Sequence, residues 1–309
     1  MKKILLLIIC TIFLCSCTNN ISKSSNEKIK ITTTIFPQYD FSRQIAKELA
    51  DVSMLLPVGG ESHTFEPTPK DIIEIENSDI FIYTGGESDK WIEDILSGIN
   101  NPDLKVLCLT DICDTLDEEH SHSVHTIDEH VWTSPLNAIK ISKEITNVLS
   151  EIDSKNSAIY INNFESYKEK LLDLDKDFRE IKNNAKRNIL VFGDRFPFKY
   201  LTEEYGFEYF SAFPGCAEDT EPDIKTIKSL IDTVIKKNIP AVFYTDFSNH
   251  KIADTIAEET GSKLLSMRSC HTVTKEELEN NITYIDLMMQ NIKNLKEALN
   301  WWLWLPATI

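Results

Sequence analysis

Residues 154–187 contain neither proline nor glycine, and apolar residues recur through them at Ile159, Phe164, Tyr167, Leu171, Leu174, Phe178 and Ile181, mostly three or four apart. That spacing predicts one helix of about 30 residues, about 45 Å from end to end. A helix longer than a small domain is wide reads as a rigid connector with a body at each end. On both sides of it, short β-branched runs alternate with amphipathic stretches, the pattern of α/β units around a parallel sheet. Before it come IKITTTI from Ile29, VSMLL (52–56), DIFIYTG (79–85) and LKVLCL (104–109); after it come NILVFG (188–193), FEYFSAF (207–213), PAVFYTD (240–246) and KLLSM (263–267). Helices are predicted over 37–50, from the cap signals Thr68-Pro69 and Ser134-Pro135, and over 222–237 and 249–260, the last closed by Thr260-Gly261. The expected fold is α/β: two lobes, each a small mainly parallel sheet with flanking helices, joined by one long connector helix.

The amino terminus carries an export signal. Lys2-Lys3 precede an apolar run over 4–14, interrupted at Thr11, and then Leu14-Cys15-Ser16-Cys17. The run is too short to span a bilayer as a permanent helix. Its end resembles a bacterial lipobox, which would make Cys17 the lipidated residue; a plain signal peptide or a retained anchor is the alternative. Residues 18–28, TNNISKSSNEK, suit a flexible tether. The expected division is therefore a signal peptide at 1–16, a tether at 17–28, a first lobe at 29–150, the connector at 151–187, a second lobe at 188–300 and an unassigned apolar tail, WWLWLPATI, at 301–309. With 49 acidic against 32 basic residues among 309, the net charge of −17 would repel nucleic acid and favours a cationic ligand.

Two histidines stand where open α/β sheets bind ligands, in loops leading from strands to helices. His63 lies in PVGGESHTFEPTP and His130 in DEHVWTSP, each preceded by acids, Glu61 in one case and Asp128-Glu129 in the other. Carboxylates beside imidazoles orient metal-bound rings and raise their basicity, which makes these three acids candidate supporting groups. GGESHTFEPTP, DEHVWTSPLNA and the Gly-free connector resemble the metal-binding lipoproteins of zinc and manganese ABC transporters, the cluster A-I solute-binding proteins, from Ile29 to about Leu299. The resemblance implies a metal site in the cleft between the lobes, with His63 and His130 supplied by the first.

The second lobe departs from that pattern. VFGDRFPFKY offers Asp194 as the nearest ligand, with a helix cap or a partner of Arg195 as its competing role, and puts Arg195 close to the family's usual ligand position. A later acidic ligand position falls near Arg268, so His271 in SMRSCHTV is the expected replacement, and Asp246 is a candidate outer carboxylate. Neutral imidazoles with at most one carboxylate suit Zn²⁺; Mn²⁺, which prefers oxygen donors, stays open. Cys216 and Cys270 are expected to form a disulfide in an exported protein, with a zinc thiolate as the alternative. Cys108 and Cys113 read as a buried thiol or a local bridge. His120, His122 and His125 form an accessory histidine-rich loop, and His250 reads as surface.

The resemblance implies a monomeric, extracytoplasmic protein, lipid-anchored to the bacterial cell membrane, that captures Zn²⁺ and delivers it to an ABC permease and its ATPase. A manganese carrier of the same family is one alternative. A secreted zinc hydrolase is another, but the sequence has no HExxH, nucleophile elbow or Gly-rich phosphate loop, so no enzymatic activity is expected. A role in cell adhesion has no recognisable module behind it.

Overall fold

The computed structural model describes residues 28–117, 126–213 and 222–300. In chain order, the first lobe contains β1 (Ile29–Thr33), α1 (Phe36–Ala46), β2 (Ala50–Met54), α2 (Pro69–Glu76), β3 (Ile80–Tyr83), α3 (Trp91–Gly98), β4 (Lys105–Cys108) and α4 (Leu109–Ile112). Then follow α5 (Pro135–Ile152) and the long α6 (Ser157–Asn184). The second lobe contains β5 (Ile189–Phe192), α7 (Lys199–Tyr205), β6 (Glu208–Ser211), α8 (Ile224–Lys237), β7 (Ala241–Thr245), α9 (Lys251–Thr260), β8 (Lys263–Met267), α10 (Lys275–Glu279) and α11 (Tyr284–Asn300). Both sheets are parallel, ordered β2-β1-β3-β4 and β6-β5-β7-β8, so the two halves repeat one topology. In each sheet the order reverses beside the first strand, the place where open α/β sheets form a ligand crevice.

The cap signals act as their chemistry dictates. Thr68 and Asp71 form a reciprocal capping box at the start of α2, and the Ser134 side chain accepts from the Asn137 amide at the start of α5. The helix predicted over 37–50 stops at Ala46. Lys47 turns with a φ of 47°, a single 3-10 turn follows, and Ala50 already pairs with Ile29 of β1, so sheet register overrides the helical pattern. Helix α6 is 28 residues long and buries Tyr160, Phe164, Tyr167, Leu171, Leu174, Phe178 and Ile181 along one face. Ile159, placed on that stripe by spacing, is exposed.

The sequence patterns did not distinguish α3, α4, α7, α10 or α11. Of these α11 matters most, because it packs along α6 and reaches the first lobe. There the Tyr284 ring meets Phe41 edge-on at 5.0 Å, and the Tyr284 amide donates to Asp40 at 2.7 Å. The main hydrophobic core consequently runs without a break from Ile29 in β1, through α5 and α6, to Leu299 in α11. The lobes share this core; the connector is embedded in it.

Gly193, at the end of β5, fixes how closely α9 approaches the second sheet. A Cβ at this position would lie 2.4 Å from Cα of Ala253. No side chain fits there without displacing the helix.

Candidate metal centre

Three loops converge at the carboxyl ends of the two sheets. His63 sits in a 3-10 turn after β2, where the Glu61 carboxylate accepts from its backbone amide at 3.3 Å. His130 opens the turn that leads into α5, and one oxygen of Asp128 accepts from both its amide and its ring Nδ1, each at 2.9 Å. His271 follows β8, with Nδ1 2.9 Å from Oγ of Ser269. The ring centroids lie 4.9 to 5.8 Å apart, and one potential ligand atom from each ring falls within 4.8 Å of the others. Residues 67 positions apart in one lobe, and a third from the other lobe, thus meet at one point.

The surroundings orient these rings. Nδ1 of His63 lies 2.7 Å from Oγ of Ser88 and 3.1 Å from Oε1 of Glu129. The Ser88 hydroxyl donates to Glu129 in turn, and its amide donates to the other carboxylate oxygen at 3.2 Å. Gly86, with a φ of 90°, passes so close to Glu129 that a Cβ would stand 2.8 Å from Oε2. With Nδ1 of each ring engaged, Nε2 is the nitrogen positioned to act as a ligand. All three Nε2 atoms are buried, and that of His271 has no hydrogen-bond partner. A buried lone pair left in this way is a strong acceptor for a cation. The Trp132 ring lies tilted against His130 and edge-on to His271, and its Nε1 donates to the Ser269 carbonyl at 2.9 Å, tying the two histidine loops together.

Electrostatics keep the His271 imidazole in ligand form. Burial, reinforced by the neighbouring His130 and His63, holds the His271 pKa well below its ordinary value, so its ring is neutral at pH 7. Burial alone would raise the Glu129 carboxyl, but the hydrogen bond and charge of His63, with His130 and Ser88, outweigh it and keep the group below its ordinary value. Asp89, whose Oδ2 accepts from the Thr84 and Gly85 amides, is pushed up to about 7 by burial and by the charge of Glu129.

The remaining acids of the sequence reading are engaged elsewhere. Asp194 lines the same cleft, but one oxygen accepts from the Arg195 amide at 2.8 Å and the other from the amide and hydroxyl of Thr245 at 2.9 and 3.0 Å. It is a brace between β5 and β7, apart from the histidine cluster. Asp246 accepts from the Ser269 amide at 2.7 Å and from Arg268 at 3.0 Å, and so shapes the loop that carries His271. Glu61 is half exposed and faces Arg195 at 3.8 Å. Cys270 is a free thiol, fully buried, which corrects the expected disulfide: its sulfur points inward, 3.7 Å from the Arg268 carbonyl. Cys108 and Cys113 are free as well. His250 is paired with Asp254 at 2.8 Å on the cleft wall. Cys17, Cys216, His120, His122, His125 and the 301–309 tail lie outside the described residues.

Ser88, Ser269 and Trp132 were not assigned roles from the sequence. For Ser88 no local signal exists, since its partners are 25 and 41 residues away. Ser269 has one in retrospect: each histidine is preceded two positions earlier by a hydrogen-bonding side chain, Glu61, Asp128 or Ser269, that bonds its amide or its ring.

Residues 31–298 match the family described as the zinc-uptake complex component A, periplasmic, ZnuA. The chain belongs to this family. It is 31% identical over 304 residues to the high-affinity zinc uptake system protein ZnuA of Bacillus subtilis, covering 94% of this chain and 95% of that protein. It is 30% identical over 310 residues to the zinc-binding lipoprotein AdcA of Streptococcus pneumoniae, covering 96% of this chain but only 61% of AdcA. Among solved structures, the Zn(II)-bound ZnuA-like domain of S. pneumoniae AdcA superposes with a TM-score of 0.76 at 28% identity, over 89% of this chain and all of that one. The metal-dependent lipoprotein YcdH of B. subtilis gives 0.77 at 31% identity, over 88% of this chain and all of that one. The ZnuA-like fold of two four-stranded parallel sheets with a long connecting helix is the fold described above.

Proposed function

We propose that this ZnuA-family chain captures Zn²⁺ outside the cytoplasmic membrane, in the cleft between its sheets, and delivers it to an ABC permease and its ATPase. The observation that carries the reading is the meeting of His63, His130 and His271, with ligand atoms within 4.8 Å of one another. Three imidazole nitrogen donors held by carboxylate and hydroxyl partners favour zinc over manganese, which seeks oxygen. The zinc-binding names of the relatives agree. In this reading the ion is cargo, and its ligands come from both lobes so that it is enclosed. Cys17 is the proposed lipid anchor, leaving the folded body tethered at the membrane face. A hydrolase would need an acid placed to activate a metal-bound water; Glu129, the acid nearest His63, is committed to that ring and to Ser88.

Zinc titration of the purified chain and of His63→Ala, His130→Ala and His271→Ala tests the site. Each substitution is expected to weaken binding by orders of magnitude while leaving the far-UV circular dichroism unchanged. Unchanged affinity in any one would remove that residue from the ligand set.

A further inference from the structure

The loop that delivers His271 is held under strain. Leaving β8, the chain reaches a φ of 66° at Cys270, a left-handed conformation that a residue with a Cβ rarely adopts. Such a residue persists only where its surroundings over-determine it. One guanidinium supplies much of that constraint. Nη1 and Nη2 of Arg268 donate to the two oxygens of Glu277 at 2.6 and 3.0 Å, a two-point fork, while Nε donates to Asp246 at 3.0 Å. The Arg268 side chain is only 12% exposed, so the fork lies largely out of water. Its Glu277 carboxylate also accepts from the Thr274 amide at 2.8 Å, as half of the capping box that starts α10. One carboxylate therefore grips the loop at both ends, at Arg268 and at Thr274, and closes it into a ring with His271 at its middle. Asp246, steadied by the same guanidinium, receives the Ser269 amide at 2.7 Å, and the Ser269 hydroxyl lies 2.9 Å from Nδ1 of His271. The Arg268 backbone is fixed in turn by Asn291 of α11, whose side chain accepts from its amide at 2.6 Å and donates to its carbonyl at 2.9 Å.

We propose that Arg268 and Glu277 are positioning residues for zinc, their fork holding the strained loop in the shape that presents Nε2 of His271 to His63 and His130. The inference rests on the zinc-capture reading above. Both act through others: Glu277 through Arg268, and Arg268 through Asp246 and Ser269. A guanidinium suits this task because its planar donors hold two carboxylates in fixed directions, whereas an ammonium is a point charge on a flexible stem. Capping alone does not call for glutamate. At the start of α2 the shorter Asp71 fills the same place in a capping box with Thr68. Aspartate at position 277 would therefore keep the cap and release the fork.

Three variants separate these roles: Arg268→Lys, which keeps the charge without the fork, Glu277→Asp, which keeps a capping carboxylate drawn back from Arg268, and the two combined. Each metal-stripped chain is titrated with Zn²⁺ against a competing chelator of known affinity, loaded with Co²⁺ for visible absorption, which reports ligand geometry, and melted without metal. Each single variant is expected to lose about ten- to a hundredfold in zinc affinity and to alter the Co²⁺ spectrum, while keeping the far-UV circular dichroism and a cooperative melt. The double variant should lose little more than the weaker-binding single, because both substitutions break one interaction. Zinc affinity within about twofold of the parent in both singles, with unchanged Co²⁺ spectra, would overturn the proposal and leave the zinc-capture reading standing. A lowered melting temperature with unchanged affinity would do the same, assigning the fork to stability alone. Losses that multiply in the double variant would also overturn it, since the two residues would then act separately. A parent chain that binds no zinc would overturn the zinc-capture reading and this proposal with it.

Discussion

A carboxylate's role is decided by what already occupies its oxygens. Asp194 and Asp246 both stand at strand ends beside the cleft, and sequence position alone could not rank them as ligands. Their partners can. Asp194→Asn should leave zinc affinity within about tenfold of the parent, because its oxygens serve backbone and hydroxyl donors. Asp246→Asn should cost about ten- to a hundredfold, as expected for loss of a group that orients a ligand from outside, and His271→Ala should exceed that range. Isothermal titration against a competing chelator of known affinity resolves the three, and an Asp194 effect as large as that of His271 would restore it as a ligand. At this scale His63 and His130 were legible because each sits in a distinctive loop motif. His271 was legible only as a replacement. Ser88 was invisible because its function exists only after β3 and the loop before α5 have been brought together. The disulfide expectation failed for a related reason: compartment chemistry favours pairing, but the side chain of Cys270 is directed into the core. Thermal unfolding with and without a reducing agent should therefore give the same midpoint; a clear drop on reduction would contradict the free thiol.

Among the elements, the strands and the long helix were readable from period and punctuation, since β-branched runs and an unbroken 3.6-residue pattern are local properties. Helix α11 was not, because what makes it matter is its packing on α6 and α1, far away in sequence. Two element-level tests follow. Gly193→Ala would force α9 away from β5 and should lower stability by about 1–3 kcal/mol, measured by denaturant unfolding; an unchanged midpoint would mean the helix yields freely. The loop after β3 carries Asp89, whose pKa rises from 3.8 to about 7 on folding, so the folded chain holds a proton there that the unfolded chain has released. The contribution of this carboxyl is thus fully present below about pH 4 and is lost as the pH climbs through about 7. Asp89→Asn keeps an acceptor for the Thr84 and Gly85 amides but has nothing to ionise. Its melting temperature should fall less than that of the parent between about pH 5 and pH 8, and parallel curves for the two proteins would refute the assignment.

For the whole molecule, the shared core between the halves is reinforced near the histidines by hydrogen bonds with both ends buried or nearly so. Trp132 donates to the Ser269 carbonyl, Tyr284 to the Trp132 carbonyl at 2.6 Å, Tyr200 to the Asp128 carbonyl at 2.6 Å, and the Phe36 amide to the His271 carbonyl at 3.0 Å. Each falls at or within two residues of His130 or His271. Trp132→Phe keeps most of the ring and loses one bond of about 1 kcal/mol, which should weaken zinc binding by about fivefold, chiefly through faster release; stopped-flow chelator exchange would show it, and an unchanged release rate would free Trp132 of that role.

The shared core has a consequence for how such a carrier can be recognised. Two bodies hinged on a strap change outline when their cargo arrives, and a receptor can feel the difference by shape. Where the halves are cut from one block, as the continuous core from Ile29 to Leu299 joins them here, a large change of outline would have to break buried packing. What loading adds is charge: a doubly positive guest enclosed within a strongly anionic protein alters the local field at the mouth of the cleft. A docking partner that must distinguish the loaded carrier from the spent one would then be reading a voltage rather than a gesture.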